Sequence, residues 1–205
     1  ISADGPLDLL NAVKTAACRE ACGKGVLVVM NDIIMAARYA TKTSAFKVEA
    51  FQAVPYGQLG TIAGGRVYFE ASISKCHTVN SVFAGKNYTS LPRTDIIYTH
   101  CDDDGVLIEA AVKAGAQGLV YAGSGMGSIH CGAENALLKA LQQGVAVVRS
   151  TRVSEGRVLA ANPKWDEAGF ICGGNLNPQK ARILLQLALT CTKDTKKIQE
   201  IFDEY

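Results

Sequence analysis

The 205 residues lack an excess of charge of either sign: 21 Lys and Arg stand against 19 Asp and Glu, a formal net charge of +2. They also lack a long basic run, since Lys196-Lys197 is only a pair. Without a basic patch in the sequence there is no electrostatic footprint for nucleic-acid binding. No apolar run approaches the length of a bilayer span, so no membrane partner is expected. Nor is there a regular cysteine framework. The seven cysteines, Cys18, Cys22, Cys76, Cys101, Cys131, Cys172 and Cys191, are odd in number and scattered. They read as buried thiols in a reducing compartment, not as disulfide partners. Cys18 and Cys22 lie one helical turn apart, whereas the usual metal or redox motifs carry two intervening residues. Internal repeats and low-complexity tracts are absent too. Apolar residues are plentiful: 48% hydrophobic content and a mean hydropathy of +0.12 exclude a disordered chain. The length suffices to bury a core in one large or two small domains.

Strands and helices alternate along the chain. Asp4 and Pro6 open an expected helix whose Leu9, Leu10, Val13, Ala16 and Ala17 fall on one face. A strand over 25–30 follows, with a polar exit at Asn31-Asp32. Residues 60–69 read as a hairpin around Gly64-Gly65. Residues 71–92 lack periodicity and read as a linker. Beyond it, strands over 95–98, 118–121 and 145–148 alternate with helices, one marked by Val106, Leu107, Ala110, Ala111 and Ala114 and another over 135–143. That rhythm implies a parallel sheet covered on both faces. Asn177-Pro178 caps a helix whose 183–189 core is apolar nearly all round and so expected to be buried, and a last short helix ends at Tyr205.

Several residues invite a chemical reading. The loop Gly123-Ser124-Gly125-Met126-Gly127-Ser128 follows a strand and precedes a helix, where open parallel sheets bind ligands. Its amides and the Ser128 hydroxyl suit an anion. Its glycine spacing does not match the dinucleotide-binding fingerprint, and a tight turn that needs glycine explains it equally well. His100-Cys101 and His130-Cys131, with Asp102, Asp103 and Asp104 nearby, are zinc-ligand types. Their spacing matches no standard closed site, and the acidic run reads equally as a solvated helix start. His77 has no visible partner. Lys42, in Thr41-Lys42-Thr43, follows the first strand. It can act as a base only if a hydroxyl nucleophile lies within reach and its ammonium is desolvated; otherwise it is a solvated loop lysine.

Seven segments occur in one order and spacing: Ser2-Ala3-Asp4-Gly5-Pro6, Val28-Val29-Met30-Asn31-Asp32, Thr41-Lys42-Thr43, Leu59-Gly60, Ala122-Gly123 with Gly125 and Gly127, Val148-Arg149-Ser150-Thr151-Arg152, and Leu176-Asn177-Pro178-Gln179-Lys180-Ala181-Arg182. In this the chain resembles bacterial type II L-asparaginases and glutaminase-asparaginases, and it looks like their carboxyl-terminal two thirds. The resemblance implies an α/β fold. Residues 1–70 would be the parallel-sheet remainder of a large amino-terminal α/β domain, 71–92 a linker, and 93–205 a smaller carboxyl-terminal α/β domain. It implies hydrolysis of the side-chain amide of Asn, or of Gln, with release of ammonia and with no metal or cofactor. It implies a homo-oligomer, a tetramer in the family, and export to the periplasm. The seven cysteines favour the cytoplasm as the alternative.

In that family two threonines act, one in a Thr-Gly-Gly-Thr loop and one in a His-Gly-Thr-Asp-Thr segment tuned by a lysine. Lys42 matches the lysine, which makes it the expected catalytic residue. Neither threonine motif occurs in the 205 residues, and the opening Ile1-Ser2-Ala3-Asp4-Gly5-Pro6 runs straight into a helix, like the middle of a fold. The chain is therefore expected to hold half of an active site and to be inactive alone. Two substrate-binding positions come from a neighbouring subunit. Ser128 matches the polar residue of the glycine loop, in the form seen in members with notable glutaminase activity. Asn162 falls where the family has a Glu, and a neutral amide loses the charge-assisted contact to a substrate ammonium. Two rival readings are a non-catalytic amino-acid-binding or oligomerisation module, and a nucleotide-binding domain built on 123–128.

Overall fold

The computed structural model describes residues 4–205; Ile1, Ser2 and Ala3, with which the first motif begins, lie outside the described residues. The chain divides into two compact units, Ile1–Ala84 and Gly85–Tyr205.

The first unit opens with helix α1 (Gly5–Ala17), with Pro6 in its first turn. Strands β1 (Leu27–Met30), β2 (Ile33–Ala36), β3 (Ala40–Lys42), β4 (Phe51–Ala53), β5 (Gly60–Ala63) and β6 (Arg66–Phe69) follow. β1, β2, β5 and β6 form one sheet in that order, and every neighbouring pair is antiparallel. β3 and β4 make a separate antiparallel ribbon. The α/β class holds, but the parallel sheet expected in this part is corrected. Two-residue turns make the antiparallel arrangement. Met30 pairs with Ile33 across Asn31-Asp32, and Ala63 with Arg66 across Gly64-Gly65. All four turn residues have positive φ, the conformation whose twist matches a tight hairpin. The hairpin at Gly64-Gly65 stands as expected from sequence. At Asn31-Asp32 the polar strand exit is instead a second hairpin.

On α1 the expected apolar face points outward. Leu9 is 68% exposed and Leu10 and Val13 are exposed with it, while Asn11 and Thr15 are buried. Polar bonds explain the choice. Asn11 donates to the Asp32 carboxylate at 2.7 Å, and Asp8 accepts from the Asn31 backbone N–H at 2.9 Å. The helix is thus fastened to the β1–β2 turn through its polar side.

Between β6 and the next strand the chain carries a single 3₁₀ turn, Thr78–Asn80. The second unit then alternates β7 (Thr94–Tyr98), α2 (Val106–Lys113), β8 (Gly118–Gly123), α3 (Cys131–Gln142), β9 (Ala146–Thr151), α4 (Pro163–Ala168), β10 (Ile171–Cys172), α5 (Pro178–Leu189) and α6 (Thr195–Glu204). The sheet order is β10-β9-β8-β7, all parallel. β8 and β9 are buried along their whole length, as the central strands of a covered parallel sheet must be. Leu119, Tyr121 and Val147 join Ile108, Ala133 and Leu137 in one core cluster on the α2–α3 side. Val120 and Val148, one residue along, point to the other face. α5 covers that face with Leu184, Leu185 and Ala188 buried, although its Ile183 is exposed. Asn177 caps α5 by accepting from Lys180 N–H at 3.0 Å, as expected. α2 differs from expectation: Val106 and Leu107 are exposed and Ile108 is its fully buried residue. Among the described residues no helix is long and apolar enough to cross a membrane.

Candidate active-site residues

Lys42 ends β3 opposite Phe51 of β4. It stands on a strand, not in the expected loop, and is exposed. Its ammonium sits 5.5 Å from the centroid of the Phe51 ring, a cation–π contact that gives the long side chain a preferred direction. The flanking Thr43 accepts no part in this. Its N–H donates to Ala50 O at 2.7 Å and so closes the ribbon beyond Lys42. The Asn31 amide reaches across to Val48 O at 2.9 Å, tying the β1–β2 turn to the segment that leads into β4.

Ser128 ends the glycine loop that leaves β8. The loop folds back on itself, with Ser128 N–H donating to Ser124 O at 2.8 Å. A Cβ on Gly123 would collide with the Ser128 carbonyl oxygen, and Gly127 combines a φ of +75° with close approach to Ser150 O. Glycine is therefore demanded by packing at both positions. Thr151 Oγ1 donates to Gly125 O at 2.6 Å and Arg152 N–H to Gly123 O at 3.0 Å. The start of the next loop thus holds this one rigid, and the Ser128 residue itself is exposed.

Asn162 caps α4: its side-chain oxygen accepts from Lys164 N–H at 3.1 Å. The glycine loop and the segment that leads to Asn162 both bond one buried residue, which the sequence shows only inside the Val148–Arg152 motif. Arg149, on β9, is only 1% exposed. It donates to Gly127 O at 3.5 Å on the glycine-loop side and to Leu159 O at 2.7 Å on the segment leading to Asn162. Its guanidinium carbon lies 5.0 Å from the Trp165 ring centroid. Trp165 is in turn pinned by its indole N–H, which donates to the Glu134 carboxylate at 2.6 Å, and Lys164 pairs with the same carboxylate at 3.1 Å. The indole bond first, and Lys164 second, hold the Glu134 carboxyl below the usual carboxylate range. Lys42 belongs to the first unit, and Ser128, Asn162 and Arg149 to the second.

The zinc-type residues separate into structural roles. His130 caps α3, its Nδ1 accepting from Gly132 N–H at 3.2 Å. His100 is exposed, with Nδ1 2.6 Å from the Cys101 carbonyl oxygen. The acidic run is not simply solvated. Asp104 bonds the first amide of α2, but Asp103 is buried with one oxygen 2.8 Å from the Tyr121 phenol. That phenol also lies 2.9 Å from Thr99 Oγ1 and accepts from His130 N–H at 3.3 Å. Its single proton goes to the carboxyl, because that acceptor gains most from it. Burial, before any hydrogen bond, pushes the Tyr121 phenol up. Among the described residues no group of three or more His, Cys, Asp or Glu is placed to hold a metal ion. His77 lies beside Gly25 and shares a contact with Thr78 Oγ1 at 3.2 Å.

Known proteins match the chain along its whole length. Residues 1–75 match the asparaginase N-terminal domain and residues 93–202 the glutaminase/asparaginase C-terminal domain. L-asparaginase 2 of Bacillus subtilis is 49% identical over 100% of this chain and 54% of its own length. A glutaminase-asparaginase of Pseudomonas fluorescens biotype A is 40% identical over 100% of this chain and 57% of its own. The chain therefore spans somewhat more than half the length of these relatives. The crystal structure of a probable cytoplasmic L-asparaginase from Campylobacter jejuni superposes with a TM-score of 0.96 at 47% identity, covering 100% of this chain and 67% of that one. With one domain match in each of the two units, and with these identities over the whole chain, the chain belongs to the glutaminase/asparaginase family.

Proposed function

We propose that these 205 residues form the lysine-bearing and loop-bearing part of an amidohydrolase that acts on the side-chain amide of asparagine, and on glutamine as the alternative substrate. The observation that carries this reading is the family match along the whole chain with Lys42 standing in its Thr-Lys-Thr setting. The chemistry is attack of a threonine hydroxyl on the amide carbonyl, with an oxyanion that must be stabilised and ammonia as the leaving group. Lys42 would serve the hydroxyl; Ser128 and Asn162 would reach the substrate bound at a neighbouring copy, so the working form is a homo-oligomer. Neither threonine motif is among the 205 residues, so these residues by themselves do not hydrolyse the amide. Export to the periplasm remains the location the resemblance implies, with the cytoplasm as the alternative; the thiols expected to be buried are not, since four of the seven cysteines are exposed and three half-buried.

A second reading, a non-catalytic amino-acid-binding module, is favoured by one observation. Asn162 is neutral and its oxygen already serves a helix cap. One assay separates the two readings. Ammonia release from asparagine is measured for the 205-residue chain alone and together with a segment of a relative that carries both threonine motifs. The enzyme reading expects no turnover alone and turnover when the segment is supplied. It also expects Lys42→Met to lower kcat of the reconstituted enzyme by ~10²–10⁴-fold with its melting temperature unchanged. Wild-type kcat in Lys42→Met would return Lys42 to an ordinary exposed lysine.

A further inference from the structure

The segment Val148-Arg149-Ser150-Thr151-Arg152 supplies no group to the proposed chemistry, yet three of its residues grip the glycine loop. Arg152 N–H donates to Gly123 O at 3.0 Å, Thr151 Oγ1 to Gly125 O at 2.6 Å, and Arg149 Nη1 to Gly127 O at 3.5 Å. The carbonyls of the three glycines are thus taken up one after another by the end of β9. Ser124, Met126 and Ser128, which alternate with them, are exposed.

The three anchors are not equivalent. Gly123 is wedged against the backbone of Ser128, and Gly127 against Ser150 O and the Val158 side chain, so packing already fixes both. Gly125 has a φ of +49° and nothing within 4 Å of the place a Cβ would take. A glycine in open space keeps the widest backbone freedom of any residue. What holds the tip of the loop is therefore the Thr151 hydroxyl. That side chain is buried, and its oxygen also accepts from Val153 N–H at 3.0 Å. Its single proton goes to a carbonyl oxygen, which is no general base, so Thr151 is not an activated nucleophile. It is a tie between the tip of one loop and the start of the next.

We infer that Thr151 is a positioning residue: through Gly125 it keeps the glycine loop in the pose from which Ser128 meets the substrate. This rests on the amidohydrolase reading, with Ser128 as a substrate-binding group. Gly125 stands three residues before Ser128, and the turn between them closes with Ser128 N–H on Ser124 O at 2.8 Å. A tip that swings carries Ser128 with it. A loop already in place binds without the cost of being ordered. Ser128 is not the nucleophile, so its placement serves bound substrate and transition state alike, and its loss falls on KM and not on kcat.

The test uses two substitutions. Thr151→Val keeps the shape and removes both hydroxyl bonds; Thr151→Ser keeps both. In the enzyme reconstituted with the threonine-bearing segment, Thr151→Val should raise KM for asparagine ~5–10-fold with kcat unchanged, and Thr151→Ser should return KM to the wild-type value. In the 205-residue chain itself, amide hydrogen exchange over 124–128 should quicken about tenfold in Thr151→Val and not in Thr151→Ser, with the amides of β8 and β9 unaltered. A Thr151→Val enzyme with wild-type KM overturns the inference and leaves the amidohydrolase reading intact. So does a raised KM without quickened loop exchange, or a lowered kcat that Thr151→Ser fails to restore. A wild-type complex that releases no ammonia removes the amidohydrolase reading, and this inference with it.

Discussion

Asn162 has two roles that substitution can separate. As the cap of α4 it supplies an oxygen to Lys164 N–H, and Asn162→Ala should cost about 1 kcal/mol in a denaturant titration. Asn162→Asp keeps that oxygen and adds a negative charge where the helix start favours it. It should be at least as stable as wild type, and in the reconstituted enzyme it should lower KM for asparagine. Equal stability of the Ala variant and wild type would remove the cap from the account. Glu134 gives a pH signature. Its folded carboxyl is held below the ordinary value of about 4.3. The stability it contributes is therefore complete above that value and is lost as the pH falls through the depressed folded one. Melting temperatures followed from neutral into that acidic range should fall less steeply for Glu134→Gln than for wild type; parallel curves would contradict the role given to the Trp165 bond. At this scale, what the sequence revealed was set by locality. Lys42 and Ser128 stand in short motifs whose meaning does not depend on distant neighbours. Arg149 and the Tyr121–Asp103 pair acquire their roles from contacts 10 to 22 positions away along the chain, across strands and helix starts, and no run of adjacent residues announces them.

Among the elements, the β1–β2 turn is the sharpest to probe. Asn31 and Asp32 both hold positive φ, 51° and 58°. A β-branched residue is strained there, whereas glycine is not. Asn31→Val should lower stability by about 1–3 kcal/mol, the sum of that strain and the lost bond to Val48 O. Asn31→Gly should lose less, and a glycine variant as damaged as valine would show the side-chain bond, not the backbone, to be decisive. The parallel strands of the second unit were legible because each is a short apolar run bounded by a helix pattern. The first unit was legible only at its Gly64-Gly65 hairpin. Its hairpins turn on Asn-Asp as well as Gly-Gly, and α1 inverts its apolar face because Asp8 and Asn11 bond the turn. Periodicity reports which residues share a face and not which face is turned inward. On α2 the same limit applied, and Ile108 took the core position expected of Val106 and Leu107.

For the molecule as a whole, the exposed Leu7, Leu9, Leu10 and Val13 of α1 make an apolar strip of a kind that monomers seldom leave uncovered. We expect the purified chain to sediment above monomer mass at micromolar concentration, and Leu9→Glu with Val13→Glu to shift it toward monomer. A wild-type chain that sediments and melts as a single monomeric species would contradict this. The Trp165 stack has an optical corollary. The chain contains one tryptophan, and it is held between a carboxylate and a guanidinium inside the second unit. Indole emission is therefore a built-in lamp in that unit. Its colour and brightness follow the charge on Glu134 and the placement of Arg149, and circular dichroism is left to watch the hairpins of the first unit.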